Sequence, residues 1–231
     1  MSEYLFPPAP TPGLAVKGRE RLYPVTRIFC VGRNFAAHAA EMGNEVNRDA
    51  PWYFTKSQTA FLASGSTLPM PPRTENFHHE MELTVAIGAE GFKVPVSEAQ
   101  KLVFGFGCGL DMTRRDLQAT SKERRQPWCT GKDVEGGAVL GPLTPAAGWK
   151  QTFQRIELRV NGEKRQDGSV KDLVWSVAEI ISDLSHLYHL RPGDIIMTGT
   201  PAGVGPVEVG DVLEGTIGGL EPVTLTIGPA E

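Results

Sequence analysis

Glu80 and Glu82 stand two residues apart in the run His78-His79-Glu80-Met81-Glu82-Leu83-Thr84-Val85-Ala86-Ile87. On a β-strand, residues two apart share a face. Met81, Leu83, Val85 and Ile87 are apolar and line the other face. The run therefore reads as a strand with one oily side and two carboxylates on the opposite side. Like charges that close repel unless something positive sits between them. A second apolar run, Phe104 to Leu110, ends on Asp111, a third carboxylate. Three carboxylates converging on a buried spot suit a hard cation, Mg²⁺ or Mn²⁺. The competing reading is a solvated strand face. Preceding histidines and glycine-rich apolar sequence around Asp111 are unlike an exposed edge. His78 and His79 lack HExxH or Cys/His zinc spacing and read as packing or as support for the carboxylates.

Three further groups could do chemistry. His38 and Glu41 are three apart and share a helix face. They form either a surface ion pair or a dyad in which Glu41 orients His38 to draw a proton from water. Lys132 follows Thr130-Gly131. It is either an exposed lysine or a cation placed to stabilise a developing oxyanion. Arg114, Arg115, Lys122, Arg124 and Arg125 form a basic run, either a solvated helix face or a means of capturing a carboxylate. The run Gly199 to Gly205 fits neither a P-loop nor a dinucleotide fingerprint. It reads as a turn whose amides and Thr200 hydroxyl approach a small anion.

The positioning elements follow from periodicity and turn chemistry. Residues 1–24, with five prolines, read as an N-terminal arm or small cap, and 25–231 as one catalytic domain. Val25–Val31 reads as a buried strand. Asn34 is expected to cap a short helix from Phe35 to Met42, with 44–51 a mobile loop, together a lid. Trp52–Thr55 is a strand leading to Lys56. Ser97 is expected to cap a helix through Val103. Thr113 and Asp116 have capping-box spacing ahead of a helix from Arg114 to Arg125. Residues 126–150 read as loop. Asn161-Gly162 signals a type I′ hairpin. Val174–Leu190 is the best helix, with Val177, Ile180, Ile181, Leu184 and Leu187 on one face. Strands follow at Ile195–Thr198, Val212–Ile217 and Val223–Ile227. Short strands and irregularly placed helices argue against a doubly wound fold.

Composition bounds the function. At 231 residues, 40% hydrophobic and 22% charged, the chain has an ordinary globular balance. A net charge of −4 disfavours a nucleic-acid surface. No apolar run reaches the length of a membrane span. Residues 1–8 lack the basic region and apolar core of a signal peptide. Three scattered cysteines, with no CxxC spacing, read as reduced thiols of a cytoplasmic protein.

The ordered motifs resemble the fumarylacetoacetate hydrolase family. They are Cys30-Val31-Gly32-Arg33-Asn34 with His38, His78-His79-Glu80-x-Glu82-Leu83, Leu110-Asp111-Met112-Thr113-x-Arg115-Asp116, Pro127-Trp128, and Gly193-Asp194-Ile195-Ile196-x-Thr198-Gly199-Thr200-Pro201-x-Gly203-Val204-Gly205. They run from about residue 25 to 227. The short, single-domain form is similar to the acylpyruvase and fumarylpyruvate hydrolase branch. The resemblance implies an α+β fold, a mixed β-roll with few helices, and a homodimer with Mg²⁺ or Mn²⁺. It implies metal ligands at Glu80, Glu82 and Asp111, a water-activating dyad at His38 and Glu41, and a catalytic lysine at Lys132. It also implies substrate contacts at Arg33, Arg115, Gln118 and Thr200. The implied reaction is hydrolytic C–C cleavage of a small 2,4-dioxo acid, 3-fumarylpyruvate above all, to fumarate and pyruvate. Decarboxylation of oxaloacetate, or hydration or isomerisation of a 2-oxo acid on the same site, is the rival. A non-catalytic binding protein is the other. Phe35, Ala36, Ser57 and the segment Gly131 to Gly137 depart from the usual family pattern and bear on the acyl pocket.

Overall fold

The carboxylate strand runs over Met81–Ile87, inside the largest sheet. It is seen in a computed structural model in which residues 4–43 and 48–231 are described. The sheet order is Trp52–Lys56, Arg27–Gly32, Asp194–Met197, Met81–Ile87, Val103–Asp111, Ala138–Leu140, Phe61–Ala63. Thr144–Pro145 pairs on Val103–Asp111 as an eighth strand. Arg27–Gly32 with Asp194–Met197, and Phe61–Ala63 with Ala138–Leu140, are parallel pairs; the others are antiparallel. A five-stranded sheet has the order Glu163–Ser169, Arg155–Val160, Val212–Ile217, Val223–Gly228, Ser66–Pro69. The fold is thus mixed sheet with few helices, as the family resemblance implies.

Every residue of Met81–Ile87 is buried, so the polar face that carries Glu82 is covered as well as the apolar one. Leu83, Val85 and Ile87 belong to a core shared with Leu158, Leu213 and Leu225 of the five-stranded sheet. Ala86, from the opposite face, joins Ile28, Ile195 and Met197 in a second core. Glu82 and Thr84 are buried with it, on that face. Burial of a leucine such as Leu83 contributes roughly 1.5–3 kcal/mol. The strand also breaks at Glu80. Phe77–His79 pairs instead with Thr113–Arg114 and Gly205–Pro206 in a small sheet. The glycines before Asp111 have a steric reason. A Cβ on Gly109 would fall 2.5 Å from Thr84 Cγ2 on the neighbouring strand.

Five α-helices occur among the described residues: α1 (Ala36–Glu41), α2 (Val96–Ala99), α3 (Arg115–Glu123), α4 (Cys129–Lys132) and α5 (Val177–Leu187). Three expected caps do not form. Asn34 does not cap α1; the N-cap is Phe35, with no side-chain bond. The fully buried Asn34 amide donates to Trp175 O (3.0 Å) and Thr198 O (2.8 Å) and accepts from Trp175 N–H (2.7 Å). Thr113 and Asp116 form no capping box. The Thr113 hydroxyl donates to Asp111 O, and Asp116 accepts from Thr74 Oγ1 and Glu75 N–H. Ser97 lies inside α2, whose N-cap is Pro95; a 3₁₀ turn follows, and Val103 already begins a strand.

The best helix is shorter than expected and starts with a capping box formed by Ser176 and Glu179. Val177, Ile180, Ile181 and Leu184 are buried as predicted, but Leu187 is 61% exposed. The apolar stripe outlasts the core it packs against. The loop expected over 126–150 contains α4 and the strand Ala138–Leu140. Asn161 (φ 52°) and Gly162 (φ 80°) form the expected hairpin turn. The N-terminal segment contributes a hairpin, Gly13–Val16 with Arg19–Pro24, whose Leu14, Val16 and Tyr23 are buried in the second core. Part of the loop expected over 44–51, residues 44–47, lies outside the described residues. Among the described residues, no helix is long and apolar enough to cross a membrane.

Candidate active site

Glu80, Glu82 and Asp111 offer oxygen atoms that all lie within 4.8 Å of one another, and all three residues are buried. They arrive on different supports. Glu80 sits at the break between two strands, Glu82 on Met81–Ile87, and Asp111 at the end of Val103–Asp111. The backbone bond from Asp111 N–H to Glu80 O (2.8 Å) locks the two strand ends together.

Their partners differ. Glu80 receives Lys132 Nζ at 2.7 Å and a second bond from Arg115. Burial works to raise its pKa, but Lys132 and Arg115 win and hold the carboxyl well below its ordinary range. Asp111 Oδ2 receives Lys132 Nζ at 2.7 Å. Asp111 Oδ1 lies 2.8 Å from Lys56 Nζ, off the line of a hydrogen bond, and is otherwise an orphaned buried oxygen. Glu82 accepts Gly199 N–H at 2.7 Å. It has no ion pair among the described residues. Burial, then Asp111 and Glu80, push its pKa well up. A site with an all-oxygen donor set, one orphaned oxygen and one carboxylate without a cation fits a divalent metal.

Lys132 is brought in by α4 and is buried. Its ammonium donates to Glu80, Asp111 and Thr113 Oγ1 (2.9 Å). Burial opposes the charge, yet Asp111 and Glu80 raise the pKa above the ordinary lysine value, so it is a cation at neutral pH. Gly131 permits this approach, since a Cβ there would fall 2.8 Å from Gln118 N.

His38 is 8% exposed. Its Nδ1 lies 3.2 Å from Glu41 Oε2, which fixes one ring nitrogen, while Nε2 has no bond among the described residues. Glu41 also accepts Gly203 N–H, at 3.0 Å to Oε1, and so ties α1 to the loop after Asp194–Met197. Burial lowers the His38 pKa below its ordinary value against the opposing charge of Glu80. The imidazole is therefore neutral, able to accept a proton, at pH 7.

These groups share one cleft, lined by His38, Glu80, Glu82, Lys132, Arg115, Gln118, Thr200 and Arg33. The expected residues therefore come together, with Asp111 and Glu41 packed behind the lining. Arg115 is fully engaged: it donates to Glu80, to Gln118 Oε1 (2.6 Å) and to His78 Nδ1 (3.4 Å). Thr200 Oγ1 accepts from Gln166.

Several contributors escaped the sequence reading. Lys56 is buried and donates to the Met112 and Lys132 carbonyls as well as facing Asp111. Its signal was a lysine ending an aromatic strand. Gln166, from the five-stranded sheet, is fully buried. It accepts Met81 N–H at 2.9 Å and donates to Thr200 Oγ1 and Pro201 O, both at 2.8 Å. Nothing in its local sequence marks it. Trp52, Phe54 and Trp128 wall the cleft, and Lys122 lines it.

Residues 27–228 match the family model described as the fumarylacetoacetate (FAA) hydrolase C-terminal region. A fumarylpyruvate hydrolase of Ralstonia sp. is 48% identical over 192 residues, spanning 82% of this chain and 100% of that protein. A mitochondrial oxaloacetate tautomerase of Arabidopsis thaliana is 39% identical over 203 residues, spanning 87% of this chain and 91% of that protein. The crystal structure of fumarylpyruvate hydrolase from Pseudomonas aeruginosa in complex with Mn²⁺ and pyruvate superposes with a TM-score of 0.95. It shares 43% identity and covers 98% of this chain and 100% of that one.

Proposed function

Because the chain belongs to the fumarylacetoacetate hydrolase family, we propose that it is a metal-dependent C–C hydrolase that splits 3-fumarylpyruvate into fumarate and pyruvate. The observation that carries this reading is the pairing of a three-carboxylate cluster with a buried, neutral histidine in one cleft. A divalent ion, Mg²⁺ or Mn²⁺, would be held by Glu80, Glu82 and Asp111 and would supply Lewis acidity at the 2-oxo acid end. His38, oriented by Glu41, removes a proton from water. The resulting hydroxide adds to the C4 carbonyl, and the Lys132 ammonium stabilises the oxyanion. The C3–C4 bond then breaks. Its electron pair leaves with the pyruvate half as an enolate, which is protonated at C3, while C4 becomes the new carboxylate of fumarate. Arg33, Gln118 and Thr200 line the cleft and bind substrate; Arg115 holds Glu80 and Gln118 in place.

The test is turnover of fumarylpyruvate by Mn²⁺-loaded protein, followed by loss of its dioxo-acid absorbance. Parent activity with at least a hundredfold loss in His38→Ala is expected, within the range for removal of a general base. An unchanged absorbance with the parent protein sinks the proposal. The oxaloacetate tautomerase relatives favour one second reading, proton transfer at a 2-oxo acid with no attacking water. His38→Ala and Glu41→Gln separate the two, since only hydrolysis requires an activated water. We further propose that residues 25–231 act as the catalytic unit of a cytoplasmic homodimer in aromatic breakdown. The three free thiols and exposed apolar side chains such as Tyr4, Leu5 and Phe6 support that reading.

A further inference from the structure

Two cations line the cleft and make no hydrogen bond or ion pair among the described residues, Arg33 and Lys122. The Arg33 guanidinium carbon lies 5.8 Å from the centre of the Trp52 ring. The Lys122 ammonium lies 4.7 Å from the centre of the Trp128 ring. The two indoles meet edge to face at 4.6 Å, so the four side chains form a continuous row along one wall. Phe54 stands 6.2 Å from Trp128 and 6.4 Å from Trp52. The Lys132 ammonium sits 4.9 Å from the centre of its ring. The aromatic wall thus leads from Lys132 and the carboxylate cluster at one end to Arg33 and Lys122 at the other.

Local structure shows that this row is built. Arg33 adopts φ 54°, a left-handed conformation that disfavours a side chain and persists only when the surroundings impose it. A Cβ on Gly32 would fall 2.2 Å from Trp52 Cζ2, so only glycine lets the indole lie there. The remaining cations of the cleft are engaged: Arg115 by Glu80, Gln118 and His78, and Lys132 by Glu80, Asp111 and Thr113. Partial burial, with Arg115, Arg33 and Lys132 nearby, brings the Lys122 ammonium down to about 8. A half-buried cation among cations is unfavourable, and an incoming anion relieves it. The bland alternative is a helix lysine that merely lays its methylene stem on an indole.

We propose that Arg33 and Lys122 receive a carboxylate at the far end of the acyl group, so that the site selects acyl chains ending in a carboxylate over neutral ones. This inference rests on the hydrolase reading above and assigns its specificity to Lys122 and Arg33 rather than to Arg115.

The test compares kcat and KM for fumarylpyruvate and for acetylpyruvate, whose acyl group is neutral, on the Mn²⁺-loaded full chain. Lys122→Met keeps the apolar stem on Trp128 and removes the charge. For fumarylpyruvate its kcat/KM is expected to fall roughly ten- to a hundredfold, the loss of one charge-assisted bond. For acetylpyruvate it stays within about twofold of the parent, which also reports that the variant folds. Lys122→Arg recovers most of the loss, and Arg33→Gln also lowers kcat/KM for fumarylpyruvate. Equal losses on both substrates, or no loss on either, overturn the inference and leave the hydrolase reading standing. A parent protein that turns over neither substrate removes the hydrolase reading and the inference with it.

Discussion

Replacing Asn34 tests how the catalytic helix is anchored. The Asn34 side chain closes three bonds to backbone: Trp175 N–H, Trp175 O and Thr198 O. Its own carbonyl accepts Val174 N–H at 2.9 Å. It thereby fastens the start of α1, which carries His38, to the segment before α5 and to Thr198. Asn34→Ala removes three buried bonds worth about 1 kcal/mol each, a total of roughly 3 kcal/mol. At about 2–4 °C per kcal/mol for a chain of this size, Tm should fall by roughly 10 °C. Asn34→Asp is nearly isosteric but turns an acceptor toward two carbonyl oxygens. The introduced carboxyl therefore has its folded-state pKa raised above its unfolded value. An acid shifted that way is harmless below the unfolded pKa, and its penalty grows as pH rises through the folded pKa. The Tm gap between Asn34→Asp and the parent should widen from pH 5 to pH 8, while the Asn34→Ala gap stays nearly flat. Thermal melts followed by circular dichroism at both pH values measure this. A variant Asn34→Asp that melts with the parent at pH 8 would refute the reasoning.

Other outcomes follow from the same coordinates. In chelator, Glu82→Gln should melt above the parent at pH 8 and lose that advantage toward pH 4. The parent's raised Glu82 pKa costs stability as pH climbs past the unfolded value. At a hundredfold excess over Kd, Mn²⁺ should stabilise the parent by about 2.7 kcal/mol and this variant far less, which differential scanning fluorimetry resolves; equal gains would remove Glu82 from the metal set. Lys56→Met should destabilise by roughly 3–5 kcal/mol in urea melts, because it strips a buried cation from Asp111; a neutral result would mean that Lys132 alone neutralises that carboxylate. A thiol reagent at pH 8 should titrate Cys129 alone in the native protein. Cys129 is exposed, whereas Cys30 and Cys108 are buried and burial pushes the Cys108 thiol up to about 12; rapid reaction at more than one site would contradict that packing.

Periodicity made the strands legible, since Val212–Ile217 and Val223–Gly228 stand where alternation puts them. The carboxylate trio was legible because both glutamates and Asp111 end or ride on apolar runs. Caps were misread for one physical reason. Asn34, Thr113 and Asp116 have the chemistry of capping residues, but each bonds a distant partner instead, Thr198, Lys132 and Glu75 respectively. Local propensity cannot see such partners, because they lie from 19 to 164 residues away in sequence. The same blindness hid Lys56 and Gln166. A lysine ending a strand and a glutamine returning from a hairpin are ordinary surface patterns, and their burial is decided by what the other sheet brings against them. Leu187 erred in the opposite sense: the helical pattern continued where the core had stopped.

The parallel pairing of Arg27–Gly32 with Asp194–Met197 has a consequence in time. Chains emerge from the ribosome N-terminus first, at about 5–20 residues per second. The early strand therefore waits roughly ten seconds or more for its neighbour to be synthesised. During that wait its Ile28, Phe29 and Val31 have only Trp52–Lys56 to pair with. Asp194–Met197 also lies between Arg27–Gly32 and Met81–Ile87, so the central sheet cannot be complete until this strand has been made. Distant pairings of this kind slow folding and leave apolar edges open meanwhile. Yield in a cell should therefore depend on translation speed and on chaperones more than the finished molecule's stability suggests.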